Sequence, residues 1–526
     1  MEAVRERKAA RQQRSGETSR GNDATQLIDE EGEEVSIVIH PMKASISSST
    51  TTTAELQEKF KSMDEALKEA EADDEDNAKP KIQKIPFMLL EDNDNFKKYL
   101  KPRVVSIGPY HAKNPNLEVT QRIKLKLAAL FIKEGDIDRN LLHERIMKKI
   151  ADFKGCYTEE ATKDYKNEEL AWMFLVDGCA LLHYIIISKP EDRDGDQQKP
   201  EDRDGANQQK LEDRYEKLKK LKIKSDHITF IQQDVFLLDN QLPYDLLELL
   251  IGLRKYKPQE LQKSMENFIL DSINAPRELL EANRKNYQKS KERKPFHLLD
   301  LLRMTLIQSV KSDPGCRERL RTKLISFIGT KWFDRLTCKK KHVWHSSFRN
   351  IEELKAAWIS FKPSETSSMR GISFDWGTLK IPPIIVDDST EAKLLNLAAY
   401  EMCPDFQNEF EVSTYIYFMD SLIDQAQDVK ELRESGILHN ALGSDEEVAN
   451  LFNRISKDLV PNQMYSEVRQ RIQSHCDNKW TAWINQFCAE HFHSPWSVLA
   501  FIAASIALPS SIVQTGYTVE GYYKLP

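Results

Sequence analysis

The stretch WSVLAFIAASIALPSSIVQTGYTV, from Trp496 to Val519, runs for 24 residues without a charged side chain. At a rise of about 1.5 Å per residue, a helix of this length crosses a hydrocarbon core about 30 Å thick. Aromatic residues flank the stretch, as they do at bilayer interfaces: Trp496 opens it, and Tyr517 and Tyr522 follow the apolar run. The sequence therefore predicts a C-terminal transmembrane helix over 496–519.

The apolar side chains of this segment favour insertion into a bilayer, each by about 0.3 to 0.6 kcal/mol at a helix centre. The residues expected to meet the membrane are Trp496, Val498, Leu499, Phe501, Ile502, Ile506, Leu508, Ile512 and Val513. Four serines and Pro509 oppose them, so the balance is only modestly favourable. A soluble core helix that breaks at Pro509 is the alternative interpretation.

The predicted topology follows from what flanks the segment. Seven residues, Glu520 to Pro526, come after it, and the N-terminus, MEAVRERKAARQQRSGE, has no apolar core of a secretory signal. We therefore expect a tail-anchored, single-pass protein whose N-terminal bulk is cytosolic, in the plasma membrane or an endomembrane. The seven scattered cysteines contain no Cys-x-x-Cys pair, which suits a reducing compartment.

The composition excludes some classes of partner. With 526 residues, the chain is long enough for several domains or for one large helical body with appendages. Its 76 basic and 83 acidic residues leave a net charge of −7, so no global field would hold the protein on nucleic acid or acidic lipid. We predict no nucleic-acid partner, and any contact with acidic lipid must be local.

The N-terminal region divides into two parts. Residues 1–51 are too polar to bury a core, which predicts a disordered arm. Residues 52–76 predict an amphipathic helix, because Thr52 and Glu55 fit a capping box and apolar positions recur at helical spacing. The apolar face of that helix comprises Leu56, Phe60, Met63 and Leu67.

Residues 82–490 form the predicted main body, which is helical in period. Ser444 with Glu447, and Asp388 with Glu391, fit capping boxes that mark two helix starts. The predicted fold class is mainly α: a large helical body with a minor β-hairpin, a disordered N-terminal arm and a C-terminal transmembrane helix.

Two features interrupt the helices of this body. Alternating apolar residues around Trp376-Gly377 predict the β-hairpin, between Gly371 and Val386. The run 189–214 contains KPEDRDGDQQ followed by KPEDRDGANQQ, and a tandem duplication this polar predicts a surface loop. Its alternating aspartates resemble a calcium loop, but Arg203 occupies the twelfth position instead of Glu, so we reject a calcium site.

Catalytic and cofactor motifs are absent from the sequence. It has no Gly-x-Ser-x-Gly elbow, Walker A loop, dinucleotide-binding glycine fingerprint or His-Glu-x-x-His. The best metal-ligand candidates are Cys476, Cys488, His491 and His493. The eleven-residue gap between the cysteines favours ordinary core and surface residues instead. We predict no catalytic residues, no cofactor and no metal.

Seven sequence blocks stand out along the chain. They are VVSIGPYH (Val104 to His111), VDGCALL (Val176 to Leu182), DVFLLDNQLPY (Asp234 to Tyr244), HLLDLLR (His297 to Arg303), LKIPPIIVDDST (Leu379 to Thr390), SGILHNALGSDEEVANLFN (Ser435 to Asn453) and SPW before the apolar tail. Over about residues 82 to 519, these blocks resemble the plant family known as domain of unknown function 247. The resemblance implies a plant protein, a large helical fold and one C-terminal transmembrane helix. The chain departs from the family at Ala112 and Lys113, where His and Gly usually follow GPYH, and at Pro509.

We interpret the residues of these blocks as structural. Gly108-Pro109 sets a tight turn, Asp239-Asn240-Gln241 supplies side chains that satisfy backbone groups, and Gly443-Ser444 separates two helices. His297 is interpreted as a satisfied core residue. The full set is Gly108, Pro109, Tyr110, Asp177, Gly178, Asp239, Asn240, Gln241, Pro243, His297, Gly443 and Ser444.

The leading functional hypothesis is a membrane-anchored plant protein that contacts lipid through the C-terminal helix and whose cytosolic body binds an unknown protein partner. Some grass members of the family are linked to pollen self-recognition, so the resemblance implies a recognition or signalling role. One alternative is an enzyme that uses Asp177, Asp239 and Glu401, the carboxylates in apolar contexts, as acid-base groups. Another is a soluble helical protein whose tail is buried in the core.

Overall fold

The structure, a computed structural model, describes residues 53–72, 81–91, 94–188, 225–276, 279, 293–308, 350–406, 409–477 and 495–523. The predictions of a disordered arm over 1–51 and of a duplicated surface loop over 189–214 lie outside the described residues. The chain divides into two compact units, Met1–Asp74 and Glu75–Pro526.

The described part of the first unit is helix α1 (Thr53–Ala72), which lies within the range predicted to be an amphipathic helix. Phe60, Met63 and Leu67 recur at helical spacing on α1, and all three side chains are exposed.

Helix dominates the second unit, which confirms the prediction of a mainly α fold. Its helices are α2 (Met88–Glu91), α3 (Asp94–Leu100), α4 (Glu118–Gly135), α5 (Arg139–Lys148), α6 (Ile150–Gly155), α7 (Glu159–Thr162), α8 (Asn167–Ile187), α9 (Ser225–Asp234), α10 (Tyr244–Gly252), α11 (Pro258–Asp271), α12 (Leu298–Ile307), α13 (Ile351–Ala356), α14 (Thr390–Glu401), α15 (Glu411–Leu422), α16 (Ala426–Glu434), α17 (Asp445–Ile455), α18 (Ser466–Cys476) and α19 (Pro495–Tyr523). Its strands are β1 (Ser360–Pro363), β2 (Ser373–Asp375), β3 (Thr378–Ile381), β4 (Ile384–Val386) and β5 (Leu438–Asn440).

Helix α8 forms the centre of the N-terminal half of this unit, where α4, α5, α10 and α11 pack against it. Because its neighbours bury it from Phe174 to Ile185, this part of α8 needs no polar face. Gly178 on α8 allows α10 to approach closely, since a Cβ atom there would overlap Leu250 Cδ1. By length and composition α8 could cross a bilayer, but 78% of its 18-residue window is buried, which is typical of a core helix.

Strand is a minor element. β2 and β3 form the predicted hairpin, an antiparallel pair in which Asp375 lies opposite Thr378. The two turn residues, Trp376 and Gly377, have φ angles of +51° and +72°. Positive φ at both positions is what a two-residue type I′ turn requires. β1 adds to β3 in parallel, and β4 pairs in parallel with β5 in a separate sheet.

Of the two predicted capping boxes, the one at Ser444 is confirmed as an N-cap. At the start of α17, the Glu447 N–H donates to Ser444 Oγ at 3.2 Å. The box at Asp388 is wrong, because the N-cap of α14 is Ser389, which has no side-chain cap hydrogen bond, and the turn before it is held by the neighbouring Asp387. Its carboxylate accepts from the N–H and the hydroxyl of Ser389 at 2.9 and 2.7 Å, while Asp388 is exposed.

The C-terminal helix α19 is continuous for 29 residues and contains Pro509, so the interpretation of a break at this proline is wrong. Hydroxyl groups at Ser510, Thr515 and Thr518 each donate at 2.8 Å to the carbonyl group four residues earlier in the helix. These polar side chains therefore need no hydrogen-bond partner outside α19.

Five large side chains of α19 are strongly exposed. Their exposed fractions are 64% for Ile506, 66% for Leu508, 70% for Ile512, 57% for Val513 and 73% for Tyr517. The helix backbone is described at five further residues of the predicted anchor whose side chains are not: Trp496, Val498, Leu499, Phe501 and Ile502. The described half of the helix thus presents an apolar surface that the body does not cover.

Candidate functional site

A buried polar network joins the block that ends in GPYH to the block that contains DNQLP. The Asp234 carboxylate accepts hydrogen bonds from the backbone N–H groups of Arg103, Val104 and Val105 at 3.0, 2.7 and 2.8 Å. Burial raises the pKa of Asp234 to about 6, against the lowering effect of these donors. Asp234 therefore fixes the chain that leads into the GPYH turn, a role that the sequence did not assign to it.

Asn240 crosses between the same two segments. Its Oδ1 accepts from the Ile107 N–H at 2.7 Å, and its Nδ2 donates to the carbonyl groups of Val105 and Asp234 at 3.1 and 2.8 Å. All the hydrogen-bonding groups of the amide are occupied by backbone, which is how a buried amide avoids a desolvation penalty.

Gln241 stabilises its own turn and the start of α12. Its Nε2 donates to the carbonyl groups of Val235 and Leu237, both at 2.7 Å, and its Oε1 accepts from the Leu299 N–H at 3.1 Å. The Gln241 carbonyl in turn accepts from the Tyr157 hydroxyl at 2.8 Å. Both predicted amides thus bind backbone groups within the fold.

Asp177, on α8, forms a buried ion pair beneath the GPYH turn. Its Oδ1 lies 2.5 Å from Lys124 Nζ, and its Oδ2 accepts from the Gly108 N–H at 2.9 Å. Lys124 Nζ also donates to the Ser106 carbonyl at 2.8 Å. Burial raises the pKa of Asp177, and the Lys124 charge opposes that rise. Gly108 has a φ of +74°, so the turn itself requires a glycine.

Glu401 holds two helices together. Although it belongs to α14, its carboxylate accepts from the N–H groups of Glu411, Val412 and Ser413 at 3.1, 2.9 and 2.9 Å, and so caps the start of α15. Arg303 Nε donates to the same carboxylate at 2.9 Å. Burial raises the pKa of Glu401, and Arg303 opposes it. Both oxygen atoms of this carboxylate are therefore used in holding the fold.

Asp239 has a different environment from Asp177 and Glu401. Its Oδ1 lies 2.9 Å from His111 Nε2, and the two side chains are 10% and 18% exposed. Within the described residues its carboxylate has no backbone N–H donor, so the backbone role predicted for Asp239 is carried out by Asp234. The structure thus brings together a histidine and a carboxylate from two blocks, close to the surface.

The groups beside this pair do not supply an activated nucleophile. The Tyr110 hydroxyl donates to the Ile82 carbonyl at 3.0 Å and lies 2.8 Å from Thr158 Oγ1. Burial raises the pKa of Tyr110 to about 12, with a smaller contribution from Asp239. Burial likewise raises the pKa of the Cys403 thiol to about 12. Tyr110 and Cys403 therefore stay protonated near neutral pH, and neither is an activated nucleophile. The His111 and Asp239 pair is left as a site that can accept or pass on a proton.

His297 is a buried cap at the start of α12. Its Nδ1 accepts from the Asp300 N–H at 3.1 Å, so the ring proton is on Nε2, which is buried and has no partner among the described residues. The ring lies edge-on to Tyr400, with ring centroids 4.8 Å apart. Burial lowers the pKa of His297 to about 4. This histidine is neutral at physiological pH and lies in the core as predicted, but the prediction that it is satisfied is wrong, because Nε2 has no partner among the described residues.

The remaining predicted block residues lie in turns and at helix starts. The Pro109 carbonyl accepts from the Tyr165 hydroxyl at 3.2 Å. Pro243 immediately precedes α10. The Gly443 N–H donates to the Glu447 carboxylate at 3.0 Å, next to the confirmed cap at the start of α17. These contacts stabilise the fold and do not converge on the His111 and Asp239 pair.

Two cavities lie near α4. The first, of about 30 Å³, borders the Lys124 and Asp177 pair and has room for a water molecule or two but not for an organic substrate. The second is an open surface groove of about 530 Å³, lined in part by Lys126, Lys133 and Arg139. Neither cavity contains a pairing of nucleophile and base.

Metal ligands do not cluster in the part of the chain that the structure describes. No group of three or more histidine, cysteine or acidic side chains is placed there to bind an ion. Of the sequence candidates, Cys476 ends α18, and Cys488, His491 and His493 lie outside the described residues.

Comparison with known proteins gives a family and two relatives. Residues 82–509 match the family profile described as "Plant protein of unknown function", DUF247. The chain is 26% identical to the UPF0481 protein At3g47200 of Arabidopsis thaliana over 455 residues, which are 81% of this chain and 84% of the relative. It is 23% identical to the putative UPF0481 protein At3g02645 of the same plant over 476 residues, which are 77% of this chain and 84% of the relative. No solved structure matches the chain.

Proposed function

Because the chain belongs to the DUF247 family of plant proteins of unknown function, we propose that it is a membrane-anchored protein whose helical body binds a protein partner. One observation carries the proposal: α19 is an unbroken helix whose described apolar side chains are 57% to 73% exposed. Burying such a side chain contributes about 1.5 to 3 kcal/mol, so the exposed row favours a lipid environment over water.

The polar groups of α19 are compatible with lipid. A hydroxyl group in hydrocarbon is costly unless it is hydrogen-bonded, and Ser510, Thr515 and Thr518 are bonded within the helix. At about 1.5 Å per residue, 29 residues extend for about 44 Å, more than a hydrocarbon core about 30 Å thick. Pro509 therefore need not prevent spanning.

The enzyme alternative would use Asp177 and Glu401 as acid-base groups, but cationic and backbone donors already occupy both carboxylates. We therefore propose that the body acts by binding. Its surface also presents large apolar side chains of the kind that anchor protein interfaces. Phe87 and Met88 are 68% and 65% exposed and adjacent in sequence, and Trp172 is 57% exposed.

A cytosolic location of the body is part of the proposal. Cys179 and Cys403 are free thiols, and both are buried. Unpaired cysteines at these positions suit a reducing compartment.

Alkaline carbonate extraction of membranes tests the anchor. Full-length protein should stay in the membrane pellet, whereas Ile506→Lys with Ile512→Lys should release it, because each lysine near a helix centre opposes insertion by about 2.5 to 3.5 kcal/mol. Leu141→Lys is the matched control, since Leu141 is an exposed apolar residue on α5. Release of the unmodified protein, or equal behaviour of the two lysine variants, would contradict the anchor.

The size of the protein after mild detergent solubilisation from its own membranes tests the binding role. It should elute as a complex larger than the recombinant chain, and Phe87→Ala with Met88→Ala should shift it to the size of the free chain. Leu125→Ala, at an exposed apolar position on α4, is the control. Elution of the unmodified protein at the size of the recombinant chain would contradict the binding role.

A second candidate function is proton transfer at the His111 and Asp239 pair. The observation that favours it is the 2.9 Å approach of His111 Nε2 to Asp239 Oδ1. The histidine is partly exposed and the aspartate is buried, and neither atom has a hydrogen-bond partner among the described residues. A carboxylate that orients a histidine is a common part of acid-base sites. A folded, correctly located His111→Gln protein that lacks the cellular phenotype would favour this function over binding.

A further inference from the structure

Two tryptophans lie at the same end of the three-stranded sheet and are both exposed. Trp376, in the turn between β2 and β3, is 92% exposed, and Trp358, just before β1, is 60% exposed. The Ser360 N–H donates to the Gly377 carbonyl at 2.8 Å, which fixes the start of β1 beside the turn. The two indole side chains therefore belong to one surface region.

Both tryptophans have left-handed backbone. Their φ angles are +62° at Trp358 and +51° at Trp376, a conformation that is uncommon for any residue other than glycine. A bulky aromatic residue there adds strain, and its exposed side chain recovers little of that cost by packing in the body. Glycine or asparagine would suit the fold better at both positions, which points to a use for the indole rings outside the body.

The outer face of the sheet adds two positive charges. Lys362 on β1 and Lys380 on β3 are direct partners in the parallel register, and both are exposed. Like charges that lie opposite each other destabilise a sheet. In the described part of the chain neither lysine has an ion-pair partner, and the buried Leu379 and Ile381 flank Lys380 on the other face. Asp375 shares this face, since it lies opposite Thr378, but it is paired with Arg471. The outer face therefore keeps a net positive charge.

This region packs against α18, the described helix that precedes α19 in the chain. Phe374 on β2 packs edge-on against His475 on α18, with ring centroids 5.6 Å apart. Asp375 Oδ1 lies 3.2 Å from Arg471 Nη1 on the same helix. After α18 ends at Cys476, eighteen residues, 477–494, connect it to α19.

We propose that this Trp-Lys face, made of Trp358, Lys362, Trp376 and Lys380, lies against the anionic surface of the bilayer that holds α19. The inference rests on the proposed anchor. Tryptophan is enriched at the membrane–water interface, and lysine is attracted to anionic headgroups. Protein interfaces also favour tryptophan, but they are depleted in lysine. The charge of the face complements an anionic lipid surface, although the whole chain has a net charge of −7.

Fluorescence quenching tests the contact with full-length protein reconstituted into vesicles that contain phosphatidylserine brominated near the headgroup. Bromine quenches tryptophans that reach this depth. The chain has eight tryptophans. With Trp376→Phe, the amount of emission that bromine removes should fall by about the emission of one tryptophan. Trp172→Phe is the matched control: it removes an exposed tryptophan on α8 and should leave the quenched emission unchanged.

A charge-matched pair of variants tests the lysines. Lys362→Gln with Lys380→Gln should reduce the quenching of Trp376, as should replacement of the anionic lipid by phosphatidylcholine with the same bromination. Lys148→Gln with Lys149→Gln removes two exposed charges from the end of α5 and should have no effect. Equal quenching in both lipids and in both lysine variants would overturn the electrostatic part of the inference.

Carbonate extraction of a parallel sample separates the two proposals. If the protein stays in the vesicles and Trp376→Phe changes the quenched emission no more than Trp172→Phe, the Trp-Lys face is overturned while the anchor stands. If carbonate releases the protein, the anchor is overturned, and the inference fails with it.

Discussion

The buried His297 should make the stability of the body depend on pH. Burial lowers its folded pKa to about 4, from 6.5 for an unperturbed ring. Between these values the unfolded chain binds more protons, so the free energy of unfolding rises with pH. The contribution is complete above about pH 6.5 and is lost as pH falls to about 4. A difference of about 2.5 pKa units, 6.5 minus 4, corresponds to about 3.4 kcal/mol.

The variant His297→Asn separates this titration from the capping role. Asparagine also caps a helix start well, so it can accept the Asp300 N–H without gaining a charge at low pH. We expect urea unfolding of the full-length protein in detergent micelles to show a stability loss between about pH 6.5 and 4 that is about 3 kcal/mol larger for the unmodified protein than for the variant.

His143→Asn is the control, because His143 is exposed on α5 and its replacement should leave the pH profile unchanged. Parallel profiles for the unmodified protein and His297→Asn would refute the reasoning, since they would mean that the ring gains its proton as easily in the folded state as in the unfolded chain.

Three further predictions concern the packed body. Glu401→Ala leaves Arg303 buried without its carboxylate and should lower the free energy of unfolding by about 3 to 5 kcal/mol in urea titrations, whereas the exposed Glu434→Ala should have little effect. Gly178→Ala should lower it by about 1 to 3 kcal/mol, because the new methyl group overlaps Leu250, and Leu250→Val in the same chain should restore part of the loss. Asp239→Asn should change stability by less than about 1 kcal/mol, because the amide has nearly the shape of the carboxylate and Oδ1 makes no hydrogen bond that the change would remove. A larger loss in thermal unfolding would show that the pair is structural.

Local sequence signals predicted local structure. The Ser444 cap and the hairpin turn at Trp376-Gly377 each depend on residues within four positions of one another, and both are present. The other box was predicted at Asp388, whereas the carboxylate that binds Ser389 belongs to Asp387. Adjacent aspartates match the pattern almost equally well. The alternative interpretation, a helix broken at Pro509, is wrong: α19 continues on both sides of the proline, although the proline lacks the N–H donor for one helix hydrogen bond.

The candidate site was less predictable because its contacts are distant in sequence. His111 and Asp239 are 128 positions apart, and no spacing rule connects them. The sequence grouped Asp239 with Asn240 and Gln241, yet the backbone N–H groups before the GPYH turn bind Asp234. A carboxylate at either position fits the composition of the block, and the choice depends on the path of the chain at residues 103–105.

The mid-helix position of Asp177 has a consequence for biogenesis. A ribosome making this chain presents α8 long before α19, and α8 is apolar enough to engage the machinery that inserts nascent helices into membranes. Asp177 is the eleventh of the 21 residues of α8, where an aspartate opposes insertion by about 2.5 to 3.5 kcal/mol. Lys124, already synthesised on α4, offsets that charge once the body folds. The same carboxylate thus opposes insertion of α8 into a bilayer and, in the folded chain, pairs with Lys124 in the core.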